Sequence, residues 1–209
     1  MADARKTKNS TQEHEHEQAQ AHEHEHEHDT EHDVEREARR RTALAQIRQY
    51  PDPVLRMRAR EVEVFDEALA RQAARMIALM HDATGVGLAA NQFGSLLRMF
   101  TIELGDESAR AIINPRITPL GDELETDEEG CLSIPGVLVP VERAVSVRLE
   151  GQGVDGRELT LELDGLPARA VQHEVDHLDG VLTINRTTPE ARREALAVLR
   201  PRVVLAGSR

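Results

Sequence analysis

Lysine is almost missing from this chain. Both lysines, Lys6 and Lys8, sit near the N-terminal end, and arginine carries the positive charge of everything after them. We read that as compositional bias rather than chemistry. Cysteine is scarcer still. Cys131 is alone, which excludes an internal disulfide, fits a reducing compartment and leaves a thiol free for a metal. Long apolar runs are missing too. No stretch approaches the ~18 apolar residues of a spanning helix, and the N-terminal end lacks the apolar core of a secretory signal. No membrane contact is expected, and the cytoplasm is the default location.

The chain also lacks a basic surplus. Its net charge is −12 over 209 residues. Residues 1–38 hold twelve Asp/Glu against four Lys/Arg, so the remainder is only mildly acidic, near −4. A broad basic face for nucleic acid is excluded, and no direct DNA binding is expected. The length suits one domain with a sizeable core.

Histidine is plentiful but lopsided. Seven of the ten histidines alternate with glutamate in the N-terminal tract: His14, His16, His22, His24, His26, His28 and His32. The tract over residues 11–33 has no apolar face and is expected to be disordered. It reads either as a solvated acidic tail or as a loose collector of divalent ions. Glu35 to Arg41 reads as a charged linker. Residues 1–42 are therefore expected to be tail and linker, and residues 43–209 a single catalytic domain.

Pro51 and Pro53 break the early chain, so residues 44–64 are expected to be mostly turn and extended segment. From Asp66 to about Thr84, Leu69, Ala73, Met76, Ile77 and Met80 recur at helical spacing, and Gly85 is expected to stop that helix. After a Gly-rich loop come extended runs at 96–104, 111–117, 137–141, 144–150 and 158–163. The last two flank a Gly151–Gly156 turn and are expected to pair antiparallel. Pro167 is expected to open a helix that Gly180 closes, and a final helix is expected over 188–200. This order predicts an α+β fold: a mostly antiparallel sheet packed around a central helix, with an N-terminal and a C-terminal helix.

That central helix carries His173-Glu174-Val175-Asp176-His177. Two histidines four apart fall on one helix face and can grip one metal ion, with the glutamate as proton carrier. Cys131, in Glu129-Gly130-Cys131-Leu132-Ser133, supplies a third ligand as thiolate. No second cysteine exists to close the site. A fourth position left open for water marks a catalytic rather than a structural metal. A third motif, Gly85-Val86-Gly87-Leu88-Ala89-Ala90-Asn91-Gln92, lacks the Gly-Lys-Ser/Thr ending of a phosphate loop. Two other readings are open. A general HExxH peptidase would need a third ligand downstream, and a metal-storage protein would have no use for a general base.

The three motifs together resemble the peptide deformylase family over roughly residues 44–187, including Tyr50-Pro51-Asp52-Pro53-Val54-Leu55. Pro167, Thr183 and Val141 depart from its usual pattern, in which larger or aromatic residues and an arginine are common. The resemblance implies hydrolysis of the formyl group from N-terminal formyl-methionine of nascent peptides, releasing formate. It implies one divalent ion held by Cys131, His173 and His177, most often Fe2+, with Zn2+, Ni2+ or Co2+ in some relatives. Glu174 is then general base and acid. The Gln92 amide and the Leu132 backbone N–H are the donors to the developing oxyanion. Val86, Gly87 and Leu166 are expected at the apolar pocket for methionine. Gly85, Gly87 and Gly130 read as sites of close approach or sharp turning. Asp176 reads either as orienting a ligand imidazole or as a surface charge. The segment from Arg186 to Arg209 holds six arginines and two glutamates. It reads as a ribosome-docking element or as an amphipathic helix packed on the body.

Overall fold

The computed structural model describes residues 33–105 and 109–199. The expected disorder of residues 11–33 falls almost wholly outside them, as does the end of the arginine-rich segment. The chain divides into two units, residues 1–42 and a compact unit over Ala43–Arg209. The segment read as a linker is helical over residues 33–44. Its charges recur at helical spacing, with Arg36–Asp33 and Arg39–Glu35 pairs three and four residues apart.

In the compact unit, a 3-10 turn over Pro53–Arg56 precedes α1, Glu67–Asp82. Asp66 caps α1 by accepting from the Leu69 N–H at 2.9 Å. Leu69, Ala73, Met76 and Met80 are buried along one stripe. The helix ends at Asp82, two residues earlier than the glycine suggested. Thr84 takes the left-handed conformation (φ 55°), and the Gly85 N–H then returns to Met80 O at 2.9 Å.

Five strands form an antiparallel sheet: β1 (Gly87–Ala89), β2 (Met99–Ile102), β3 (Arg110–Pro119), β6 (Ser146–Gln152) and β7 (Glu158–Asp164), in the order β1-β2-β3-β6-β7. A separate ribbon pairs β4 (Leu124–Cys131) with β5 (Ile134–Ala144). Helix α2 (Ala90–Phe93) follows β1, and α3 (Gly165–Leu178) and α4 (Pro189–Leu199) follow β7. The expected α+β class and antiparallel pairing of β6 with β7 are present.

Strand alternation puts a helix on each sheet face. Met99 and Ile113 join α1 in one apolar cluster, while Phe100, Ile102 and Ile112 join Ala168, Val171 and Leu178 of α3 in another. Every residue of β2 is therefore buried. Each large side chain so enclosed contributes ~1.5–3 kcal/mol. A third cluster joins Ile134, Val139 and Val141 of β5 to Leu55, Leu182, Ile184 and Ala195. Through it α4 packs on the ribbon.

Three short elements escaped the sequence reading. The Gly-rich motif is strand β1 followed by the single turn α2, not a loop. Strand β4 reads Leu-Glu-Thr-Asp-Glu-Glu-Gly-Cys, with most side chains exposed. It has no apolar alternation to see, because its partner β5 supplies the buried face. The opening of α3 also lies two residues ahead of Pro167.

Candidate active site

Helix α3 brings His173 and His177 onto one face, with ring centroids 4.9 Å apart. Strand β4 ends at Cys131 beside them. The Cys131 Sγ lies 3.2 Å from His177 Nε2, which lies 3.2 Å from His173 Nε2. These three atoms are the one group of metal-competent donors among the described residues. Three lone-pair donors facing a common point need a cation or protons between them. Thiolate and imidazole suit iron, zinc, cobalt or nickel, so the residues present fit a divalent transition metal.

Electrostatics favour the thiolate. Burial opposes its charge, but the His177 and His173 imidazoles more than offset this and bring the thiol down to about 5. Burial acts against a charged His173, yet its bonds to Cys131 and Glu129 hold its pKa well above the ordinary value. Glu174 is 4 % exposed, and burial lifts its carboxyl to about 6 in spite of the two imidazoles. Its Oε2 is buried with no partner among the described residues. A carboxyl in that state is poised to exchange a proton near neutrality.

The floor of the site is an ion-pair network. Glu129 Oε2 lies 3.0 Å from His173 Nδ1, and Arg143 donates to both oxygens of Glu129. Arg169 donates to Glu129 Oε1 at 2.9 Å. Arg143 also donates to Asp176, which Arg186 grips through two nitrogens. Burial disfavours the Glu129 carboxylate, but His173 and Arg143 together hold its pKa down to about 2. The carboxylate that holds the His173 imidazole is thus Glu129. Asp176 is buried but bonded to arginines, so neither reading of it holds. His177 Nδ1 has no partner among the described residues. Its main chain is held instead, by Asn91 Nδ2 donating to His177 O at 2.6 Å.

On the opposite wall stands Gln92 of α2. Its Oε1 accepts from the Ala89 N–H at 2.9 Å, which turns Nε2 toward Ser133 Oγ (3.1 Å) and Cys131 Sγ (3.6 Å). The amide nitrogen therefore faces the convergence point. Leu132 follows Cys131, and its side chain packs on the α1 cluster.

The motif glycines serve close approach rather than left-handed turns. A Cβ on Gly87 would stand 2.4 Å from Glu174 Oε1, and one on Gly85 2.7 Å from Leu132 Cδ1. Gly87 thus borders Glu174. Gly180, which ends α3 at φ 75°, is needed on two counts, because a Cβ there would also lie 2.5 Å from Arg56 O. Val86 and Leu166 are both exposed, at 56 % and 68 %. Leu166 lies two turns before His173. A cavity of about 510 Å³ lined by Arg60, Val62, Asp66, Leu69, Gln72 and Leu97 contains none of these site residues.

Of the three departures, Pro167 lies in the first turn of α3, and Thr183 and Val141 are buried. An arginine stands two residues beyond Val141, as Arg143. Sequence reasoning missed Glu129, Arg143, Arg169 and Arg186. Glu129 alone carried a signal, since it opens the Cys131 motif.

An α+β fold with an HExxH helix, a facing cysteine and a buried unpartnered glutamate defines a metal-dependent hydrolase. A family model, Polypeptide deformylase, matches residues 44–193. Peptide deformylase 1 of Corynebacterium efficiens is 46% identical over 157 residues, covering 74% of this chain and 93% of that protein. Peptide deformylase of Thermotoga neapolitana is 48% identical over 147 residues, covering 70% and 89%. The crystal structure of peptide deformylase from Thermotoga maritima aligns with a TM-score of 0.66 at 45% identity, over 68% of this chain and 97% of that one. The chain belongs to the polypeptide deformylase family.

Proposed function

We infer that this protein removes the formyl group from the N-terminal formyl-methionine of nascent polypeptides, releasing formate and a free α-amine. The observation that carries this reading is the convergence of Cys131, His173 and His177 at 3.2 Å spacings beside a buried, unpartnered Glu174 carboxylate. A storage protein has no use for that carboxylate. A general HExxH peptidase draws its third ligand from downstream of the helix, and here Cys131 lies upstream.

Cys131, His173 and His177 would hold one divalent ion, Fe2+ by family resemblance. Such an ion, when bound, brings the pKa of water from near 15.7 toward ~7 and so supplies a nucleophile at neutral pH. Glu174 takes the proton from the attacking water. It then returns that proton to the leaving nitrogen, whose departure completes the cleavage. Gln92 Nε2 and the Leu132 N–H donate to the oxygen of the attacked carbonyl as its charge develops. Glu129 fixes the His173 ring through Nδ1 and leaves Nε2 as the atom that would ligate. Val86, Gly87 and Leu166 line the approach for the methionine side chain.

Residues 43–209 are the catalytic domain and residues 1–42 lie outside it. No helix among the described residues is long and apolar enough to cross a membrane, and we assign the protein to the cytoplasm. The arginines after Arg186 would meet the ribosome. Ribosome pelleting that is undiminished on removing residues 188–209 would sink that assignment. The deciding assay is anaerobic formate release from a formyl-Met peptide, for wild type and Glu174→Ala, with metal measured on both. Turnover by wild type, and a variant that keeps one ion per chain with almost no rate, is the expected result. Absence of formate release from metal-loaded wild type would refute the function.

A further inference from the structure

The two oxyanion donors assigned above come from segments forty residues apart, Gln92 on α2 and Leu132 after β4. Three consecutive residues reach both. The Arg48 N–H donates to Gln92 O at 2.8 Å, and the Tyr50 N–H donates to Ser133 O at 2.9 Å. Between them, Gln49 Nε2 donates to Leu132 O at 3.0 Å. Ser133 is gripped twice, since its hydroxyl also accepts from Gln92 Nε2.

The orientation of the Gln49 amide follows from its surroundings. Its nitrogen faces the carbonyl oxygens of Leu132, Ile47 (3.2 Å) and Leu44 (3.4 Å). A flipped amide would set oxygen against three oxygens. Its own Oε1 is buried with no partner among the described residues, which costs stability. A hydrocarbon side chain of equal length would avoid that cost. What the amide adds at this position is the donated bond.

We propose that Gln49 is a positioning residue for catalysis, the side-chain link of a strap, Arg48–Tyr50, that holds the two oxyanion donors in register. The proposal rests on the assignment of Gln92 and Leu132 as those donors. Gln49 pins the peptide plane just after Leu132, and Tyr50 pins the next one. With the plane after Leu132 arrested, and Cys131 before it held at the end of β4, the Leu132 N–H has little freedom to swing. Hydrogen bonds weaken steeply off line, and a misplaced donor loses transition-state stabilisation rather than ground-state binding. Arg48 and Tyr50 act through main-chain N–H groups that most substitutions keep. Gln49 is the member a substitution can remove.

The test uses full-length, metal-loaded enzyme and a formyl-Met peptide. Gln49→Met keeps the side-chain length, and Gln49→Ala opens room for water. Both are expected to lower kcat about tenfold, with KM within twofold and one ion per chain. In a third protein, Leu132 is replaced by its α-hydroxy acid, so that an ester oxygen stands where the N–H was. That change alone is expected to cost ~10²-fold in kcat. Adding Gln49→Met to it should then change kcat less than twofold. Unchanged kcat in both Gln49 variants, a change in KM alone, or a tenfold loss that persists in the ester background would overturn the positioning role. An ester enzyme with full kcat would overturn the donor assignment, and the proposal with it.

Discussion

The two faces of α3 are built on opposite principles. Ala168, Val171 and Leu178 lie on one face and enter the apolar cluster against the sheet. Arg169, His173, Asp176 and His177 lie on the other, amid ion pairs and metal donors. The apolar face gains free energy from area, which is non-directional. It holds the helix down without fixing its rotation to a fraction of an ångström. The polar face is directional. It fixes where the ring nitrogens point. Stability and function should therefore separate by face.

Glu174→Ala should break function most with least damage to the fold. Loss of a general acid–base of this kind is expected to lower kcat by ~10³–10⁴-fold, read as formate release. The carboxylate it removes is buried and unpartnered. Burial also holds its pKa above the ordinary value, so at neutral pH the folded state carries a destabilising charge. The melting temperature should hold or rise, and the metal content should stay at one ion. A large drop in melting temperature would show that Glu174 braces the helix instead.

Arg143→Met attacks the polar face through its floor. Arg143, Glu129 and Asp176 have side chains 6%, 5% and 10% exposed. Removing the cation takes one partner from each of two buried carboxylates, leaving Glu129 with Arg169 and Asp176 with Arg186, at a cost of up to about 3–5 kcal/mol, measurable by urea unfolding. His173 loses its fixed orientation as well, so metal affinity should weaken ~10–100-fold. Weakened stability with unchanged metal affinity would confine the network to a structural role.

Those two faces were not equally legible. The apolar stripes of α1 and α3 follow from spacing alone, because burial of one helix side imposes a period. Cys131, His173, Glu174 and His177 were legible for a related reason: a donor set able to hold a metal, with a carboxyl beside it, constrains residue type and local spacing together. The floor was not. Arg143 and Arg169 look like any other arginine of an arginine-rich chain, and they reach Glu129 only after β4 and β5 pair and α3 lands on them. Asp176 misled for the same reason. Its position in the motif suggested an imidazole or solvent as its neighbour, but its partners are Arg143 of β5 and Arg186 beyond the helix. Strand β4 escaped because an exposed acidic strand shows no period-two pattern. Thr84 escaped because the left-handed turn fell one residue before the glycine that advertised it.

Val171→Ala tests the apolar face by itself. Val171 is fully buried, and deleting two carbon groups leaves a small void, at about 2 kcal/mol. Urea unfolding should report that loss, while kcat and metal affinity of the folded enzyme stay within twofold. A fall in kcat would mean that the apolar face also sets the rotation of the helix.

The last effect is electrostatic, is smallest per step of pH, and distinguishes the faces by pH. Burial would raise the Glu129 carboxyl, but bonds from His173 and Arg143 outweigh it and hold the group at about 2, against an ordinary 4.5. Between those values the unfolded chain binds a proton that the folded chain does not. Stability from this group is therefore complete above about 4.5 and lost as pH falls toward 2. The slope from one proton is at most ~1.4 kcal/mol per pH unit. The Cys131 thiol, lowered from 9.0 to about 5, gives up its contribution at higher pH, so the two windows do not overlap. Urea midpoints of the metal-free protein at pH 4.5, 3.5 and 2.5 should fall faster for wild type than for Glu129→Gln, which has nothing to titrate at that position. Val171→Ala should run parallel to wild type throughout, because its deficit is in apolar burial and binds no proton. Parallel curves for wild type and Glu129→Gln would place the acid sensitivity outside the floor of the site.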